Sequence, residues 1–272
     1  MSDSRGIAHP YKYFYMSFLD RGDYGSVHLL KDLASNKTVI MKESNKNGKR
    51  SIYNEIKIMA TLNHPNMPRS FGLISGEVEG FNFLFNSVCM VMEYLPGSNV
   101  QKMIEFKHVF SKVTMKKFMV DMAESLMYLK EKKIIHVDIK PGNIICNDDH
   151  FKLIDFGLSI QLSENSCYRG IYKKPTLSGT PYYMAPECFF EREYSYSTDL
   201  FSLGTSMHYM ITREMPFPSK GMRELKAQLD AMEYPGTKIP MYDKILKSII
   251  CNKEDRISTD DFYEAALDFD SI

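Results

Sequence analysis

A chain of 272 residues with 44% hydrophobic composition can bury a sizeable core, as one large domain or two closely packed lobes. Lysine plus arginine and aspartate plus glutamate number 34 each, so the net charge is zero and no basic excess points to nucleic acid or an anionic membrane surface. The five cysteines are scattered without a CxxC pair, which argues against a metal cluster or disulfide framework and for reduced thiols inside a cell.

The first residues lack a basic region followed by an apolar one, and no apolar run reaches membrane-spanning length. Ser2 excludes N-myristoylation, and the C-terminal DFDSI has no prenylation cysteine. The first third reads as strand-rich. Residues 13–19 are a β-prone aromatic run, and residues 27–30 and 38–42 flank a polar ASNK turn, which predicts a hairpin. A helical pattern follows in Ile52, Ile56, Met59 and Leu62, ending at Asn63-His64-Pro65 because proline disfavours further helix. Residues 88–92 are a buried-strand candidate, and Leu95-Pro96-Gly97 then punctuates the chain.

Beyond Gly97 the pattern turns helical. Met115, Phe118, Met119, Met122, Leu126 and Leu129 form one apolar stripe across residues 114–130. Residues 195–211, 222–232 and 259–267 are further helix candidates. A small strand-rich part thus precedes a larger helical one, with a hinge expected near residues 93–97, a kind of junction where ligands often bind.

Several short stretches carry chemistry. In LDRGDYGSVHLL, Gly22 and Gly25 lie in a turn between two strands. Glycine there serves either a plain hairpin or close backbone approach to phosphate. Lys42 ends an apolar strand and Glu55 lies in the following helix. They form either an ion pair that places an ammonium on phosphates or two unrelated surface charges. In HVDIKPGN, Asp138 can accept a hydroxyl proton and Lys140 can neutralise charge on a transferring group. Asn143 and Asp155 of LIDFGLS are hard oxygen donors suited to Mg²⁺ that also holds phosphates. Taken singly, each is also compatible with a capped turn.

Together and in this order, with LSGTPYYMAPE at residues 177–187, these blocks resemble the eukaryotic protein kinase family from about Tyr13 to Leu267. The resemblance implies an α+β, bilobal protein kinase-like fold. A single domain over residues 1–272 would hold a small β-rich N-lobe at 13–93, a hinge at 94–97 and a larger helical C-lobe at 98–268. It implies ATP with Mg²⁺ (or Mn²⁺) as cofactors. Asp138 and Lys140 become the catalytic pair, and Asn143 and Asp155 the metal ligands. Nucleotide contacts fall to Leu19, Gly22, Gly25, Val27, Ile40, Lys42, Glu55, Met92, Glu93, Leu95 and Ile145, with Met92 at the back of the adenine pocket and the hinge backbone at Glu93-Tyr94-Leu95. Glu187 with Arg256, and Asp199, are implied as scaffold. Lys140 supported by Thr180 resembles the Ser/Thr subclass. The implied setting is a cytoplasmic enzyme acting on proteins, monomeric by default, with no nucleic acid or membrane partner; a viral or pathogen origin would place it in a host cell.

Five positions depart from the family pattern. Asp20 stands in place of the first loop glycine, and Ile40 in place of an alanine over the adenine ring, so weaker nucleotide binding is expected. Val137 stands where most members carry the arginine that pairs with an activation-segment phosphate, which makes this a non-RD member. That predicts catalysis without activation-loop phosphorylation, although Tyr168, Tyr172, Thr176 and Ser178 offer hydroxyls. Gly142 replaces a glutamate that reads basic substrates, and Phe201 replaces a tryptophan. The alternatives are a pseudokinase acting as a scaffold and, disfavoured by the peptide-platform segment, a small-molecule kinase.

Overall fold

The computed structural model describes residues 7–8, 13–22, 24–74, 78–83, 87–163 and 171–271. Ser2, Cys167, Tyr168 and Ile272 lie outside them. The chain divides into two compact units, Met1–Pro96 with Asp155–Gly157, and Gly97–Ile154 with Leu158–Ile272. Asp155–Gly157 therefore groups with the strand-rich unit, although in sequence it falls within the helical part.

The first unit is built on a six-stranded sheet. Its strands are β1 (Ile7–Ala8), β2 (Tyr13–Gly22), β3 (Gly25–Asp32), β4 (Thr38–Ser44), β5 (Ser70–Ile74) and β6 (Cys89–Glu93), in spatial order β1-β5-β6-β4-β3-β2. The expected hairpin is β3 against β4, with Leu29 opposite Ile40. Its turn is set by Asp32, whose carboxylate accepts from Ala34 N at 3.0 Å and Ser35 Oγ at 2.8 Å. Asn36 takes a φ of 58°, which asparagine tolerates because its short side chain bonds locally. One sheet face is filled by Tyr13, Leu30, Val39, Met41, Ile74, Val78, Cys89 and Val91.

Helix α1 (Lys49–Met59) crosses from β4 to β5. Its buried residues are Ile52, Glu55, Ile58 and Met59, so Ile58 takes the place expected for Ile56, which is half-buried. The helix also ends before Asn63. Ala60 closes it, and the Thr61 hydroxyl bonds back to Ile58 O at 2.8 Å, an alternative that threonine offers the backbone.

The second unit opens with β7 (Ser98–Asn99) and α2 (Val100–Glu105), capped by the Asn99 side chain. Helix α3 (Lys112–Glu131) begins where the Ser111 side chain accepts from Thr114 N at 3.0 Å. All six residues of its predicted stripe are buried, each contributing roughly 1.5–3 kcal/mol of transfer energy. Next come β8 (Ile134–Ile135), a single turn at Pro141–Asn143, β9 (Ile144–Asn147), β10 (His150–Leu153), β11 (Ile160–Gln161) and β12 (Ile171–Lys173). The rest is α4 (Pro186–Glu191), β13 (Glu193–Ser195), α5 (Tyr196–Thr212), α6 (Met222–Ala231), α7 (Pro240–Ile249) and α8 (Thr259–Leu267). Buried side chains surround most of α5, and Gly204 lets it approach α7, where a Cβ would meet Ile249 Cγ1 at 2.8 Å.

Helices α2 and α4 escape sequence patterning because six residues are too few to show a period. Helix α7 did carry a signal, with Pro240 at its first position and Tyr242, Ile245, Leu246 and Ile249 at helical spacing. Among the described residues, no helix is long and apolar enough to cross a membrane.

Candidate functional site

In the first unit, β-strand alternation puts Lys42 on the face opposite buried Met41. Cross-strand register pairs Lys42 with Val27, and Ile40 with both Leu29 and Met92. Val27, Leu29, Ile40, Lys42 and Met92 therefore share one sheet face. Leu29 joins the expected set there and is visible only through the register.

The Lys42 ammonium donates to Glu55 Oε2 at 2.7 Å and to Asp155 Oδ1 at 2.9 Å. The Glu55 side chain is 1% exposed, so these are not two unrelated surface charges. Burial works against the Lys42 cation, but the charges and hydrogen bonds of Glu55 and Asp155 outweigh it and hold its pKa above the ordinary lysine value. Asp155 has a φ of 67°, a backbone conformation uncommon outside glycine. The turn that bears it sits close against α1, where a Cβ on Gly157 would come within 2.4 Å of Ser51 Oγ. Asn54 Nδ2 bonds Gly157 O at 3.3 Å.

The two loop glycines differ. A Cβ on Gly25 would lie 1.9 Å from Glu43 O, so the sheet itself demands glycine there. Nothing lies within 4 Å of a Cβ built on exposed Gly22. Leu19 is exposed, whereas Leu95 in the first unit and Ile145 on β9 of the second are half-buried. Glu93 turns its carboxylate to Arg69 N at 3.1 Å. Asp20 is exposed and accepts from Arg21 N at 2.8 Å.

In the second unit, Asp138 follows β8 and is 8% exposed. Its Oδ1 accepts from Thr180 Oγ1 at 2.7 Å. Its Oδ2 accepts from Lys140 Nζ at 2.8 Å and Asn143 Nδ2 at 3.0 Å. Asn143 Nδ2 also reaches Asp138 O at 2.8 Å, and Lys140 Nζ donates to Thr180 Oγ1 at 2.7 Å. Thr180 thus touches Asp138 as well as Lys140, a contact that the sequence did not indicate.

Asp199, in the first turn of α5, anchors the loop. Its carboxylate accepts from His136 N at 2.6 Å and Val137 N at 2.8 Å. Burial pushes its pKa up to about 7, against those two donors, with the charge of Asp138 adding to the rise. His136 is fully buried, accepting from Ser159 Oγ at its carbonyl (3.1 Å). Val137 is buried with a φ of 77°. A β-branched residue in that region is strained by roughly 1–2 kcal/mol, and the two N–H bonds to Asp199 help hold it. Its carbonyl lies against Gly179, whose φ is 104° and whose added Cβ would meet that oxygen at 2.7 Å. Arg256 clamps Glu187 through two nitrogens at 2.6 and 3.2 Å and lies 5.0 Å over the Phe201 ring.

The protein kinase domain family matches residues 13–267, nearly the whole chain and every residue of both clusters. The chain belongs to this family. The kinase domain is similar to the human serine/threonine-protein kinase ULK3, at 27% identity over 78% of this chain and 44% of that protein. It also resembles calcium-dependent protein kinase 6 of Plasmodium berghei, 30% identical over 80% of this chain and 14% of that protein. An Aurora kinase of Eremothecium gossypii is 30% identical over 73% of this chain and 52% of its own length. The kinase domain therefore spans about half or less of these relatives.

Proposed function

We propose that this kinase domain transfers the γ-phosphoryl group of ATP to serine and threonine hydroxyls of proteins. The observation that carries the reading is the Asp138 carboxylate held by Thr180, Lys140 and Asn143. As the acceptor oxygen bonds to phosphorus, its proton passes to Asp138, the bond from phosphorus to the bridging oxygen breaks, and ADP leaves. Lys140 offsets charge on the transferring group. Lys42, oriented by Glu55, contacts the α- and β-phosphates, with Gly22 and Gly25 in the loop over them. Leu19, Val27, Ile40, Met92, Glu93, Leu95 and Ile145 hold the adenosine.

Bound Mg²⁺ (or Mn²⁺) supplies charge neutralisation on the phosphates. Among the described residues no group of three His, Cys, Asp or Glu is arranged as a metal cage. The donors available, Asp155 and Asn143, instead suit an ion that keeps waters and phosphates as its other ligands. Asn143 fits this use because its amide nitrogen is committed to Asp138, which leaves its oxygen as the acceptor.

Val137 supports catalysis without activation-segment phosphorylation, since valine offers no charge to a phosphate. The names of the relatives and the Lys140–Thr180 contact support the Ser/Thr class. Balanced charge gives no attraction to nucleic acid, which leaves proteins as the favoured substrates.

The test is transfer from labelled ATP and Mg²⁺ to a generic basic protein, before and after phosphatase treatment of the enzyme. Phosphoserine or phosphothreonine should form at equal rates in both. Asp138→Asn should reduce transfer by about 10³-fold or more. ATP binding without transfer would indicate a scaffold, the alternative kept open by the departures at Asp20, Ile40 and Val137. Transfer to sugars or aminoalcohols alone would overturn the protein-substrate assignment. Loss of activity on dephosphorylation would overturn the phosphorylation-independent part.

A further inference from the structure

The segment that carries Thr180 is tied down by the side chains of Tyr194 and Lys174. Strand β12 pairs antiparallel with β13, placing Tyr172 opposite Tyr194. Lys174 N continues the pairing to Arg192 O at 3.1 Å. Tyr194 is 1% exposed, and its hydroxyl bonds the backbone of Ser178 in both directions. It accepts from Ser178 N at 2.8 Å and donates to Ser178 O at 3.1 Å. The Lys174 ammonium lies 5.4 Å over the Tyr194 ring and donates to Leu158 O at 3.2 Å.

These contacts meet the reacting groups two residues on. Gly179 follows Ser178 and lies against the Val137 carbonyl. Thr180 follows Gly179 and bonds both Asp138 and Lys140. A shift of the Ser178 backbone would therefore be passed to Thr180 two residues on, through a glycine whose site has no room for a side chain beside the Val137 carbonyl.

Resting on the phosphoryl-transfer reading above, we propose that Tyr194 is a positioning residue for that reaction. Its phenol, backed by Lys174, holds residues 178–180 so that Thr180 keeps Asp138 and Lys140 in place. Buried hydroxyls normally find partners, and this one is satisfied as donor and acceptor by a single peptide segment. A bidirectional clamp of this kind fixes both the position and the orientation of that backbone. The cation over the ring adds attraction at the rear of the phenol.

The closing experiment is a double-mutant cycle with steady-state kinetics on wild type, Tyr194→Phe, Thr180→Val and the double variant. Phenylalanine keeps the ring under Lys174 and deletes the hydroxyl. Tyr194→Phe should lower kcat about tenfold, the weight of a lost hydrogen-bond pair, with KM for ATP changed less than about twofold. The double variant should be no slower than Thr180→Val within about twofold, because both act through one contact. Thr180→Ser should restore the response to Tyr194→Phe. Unchanged kcat in Tyr194→Phe, or fully additive losses in the double variant, would overturn the clamp while leaving the phosphoryl-transfer reading intact. If wild type transfers no phosphate, that reading falls and hydrogen exchange decides the clamp. The Ser178 and Thr180 amides should exchange faster in Tyr194→Phe than in wild type, and equal rates would overturn it.

Discussion

The clusters of the two units are held by different forces. In the first, one cation serves two carboxylates: Lys42 pairs with buried Glu55 and with the more exposed Asp155. In the second, Asp138 is fixed by three side-chain donors, and its loop hangs from Asp199 through two backbone N–H groups. The first cluster therefore depends on one charge and the second is shared among many bonds. Loss of one member should be severe in the first and graded in the second, because the first has a single cation whereas Asp138 keeps two donors when one of its three is removed.

The sharpest way to break that contrast is Lys42→Met. It leaves the buried Glu55 carboxyl without the cation that holds down its pKa, so stability should fall by ~3 kcal/mol in urea denaturation, along with loss of transfer. A fall under ~1 kcal/mol would show that charge is not what holds the first cluster. Next is Asp199→Asn, which turns an amide donor toward a backbone N–H and should cost ~2 kcal/mol near pH 6. The Asp199 carboxyl sits at about 7, above the ordinary aspartate value. The fold thus binds its proton more tightly than the unfolded chain does, and this contribution to stability declines as pH rises from about 4 through 7. The penalty for Asp199→Asn should accordingly be smaller at pH 8 than at pH 6, and an equal or larger penalty would count against a raised pKa. The smallest effect belongs to Ile40→Ala, on the Lys42 face of the sheet. It should tighten ATP binding severalfold, an effect of ~1 kcal/mol in a calorimetric titration. Unchanged affinity would show that Ile40 does not crowd the nucleotide.

Much of the fold was legible because its elements are long and periodic. The α3 stripe held residue for residue, and residues 259–267 form α8 as expected. The α1 pattern slipped by part of a turn, since Ile56 and Ile58 are equally apolar in sequence and only packing chooses between them. The ionic contact of Lys42 with Glu55 was one of two open readings. Spacing alone cannot tell an ion pair from two solvated charges.

By itself the sequence determined the family, the ordered chemical blocks and the division into a strand-rich and a helical part. These depend on residue type and local period, which a linear chain carries in full. Tertiary structure decided the rest. It grouped Asp155–Gly157 with the strand-rich unit, and it explained Gly25 by the backbone of β4. It gave Val137 a buried, positive-φ place on Asp199 and set Tyr194 against Ser178. Each of these is a contact or dihedral fixed by residues distant in sequence, and no local pattern encodes which distant group will arrive.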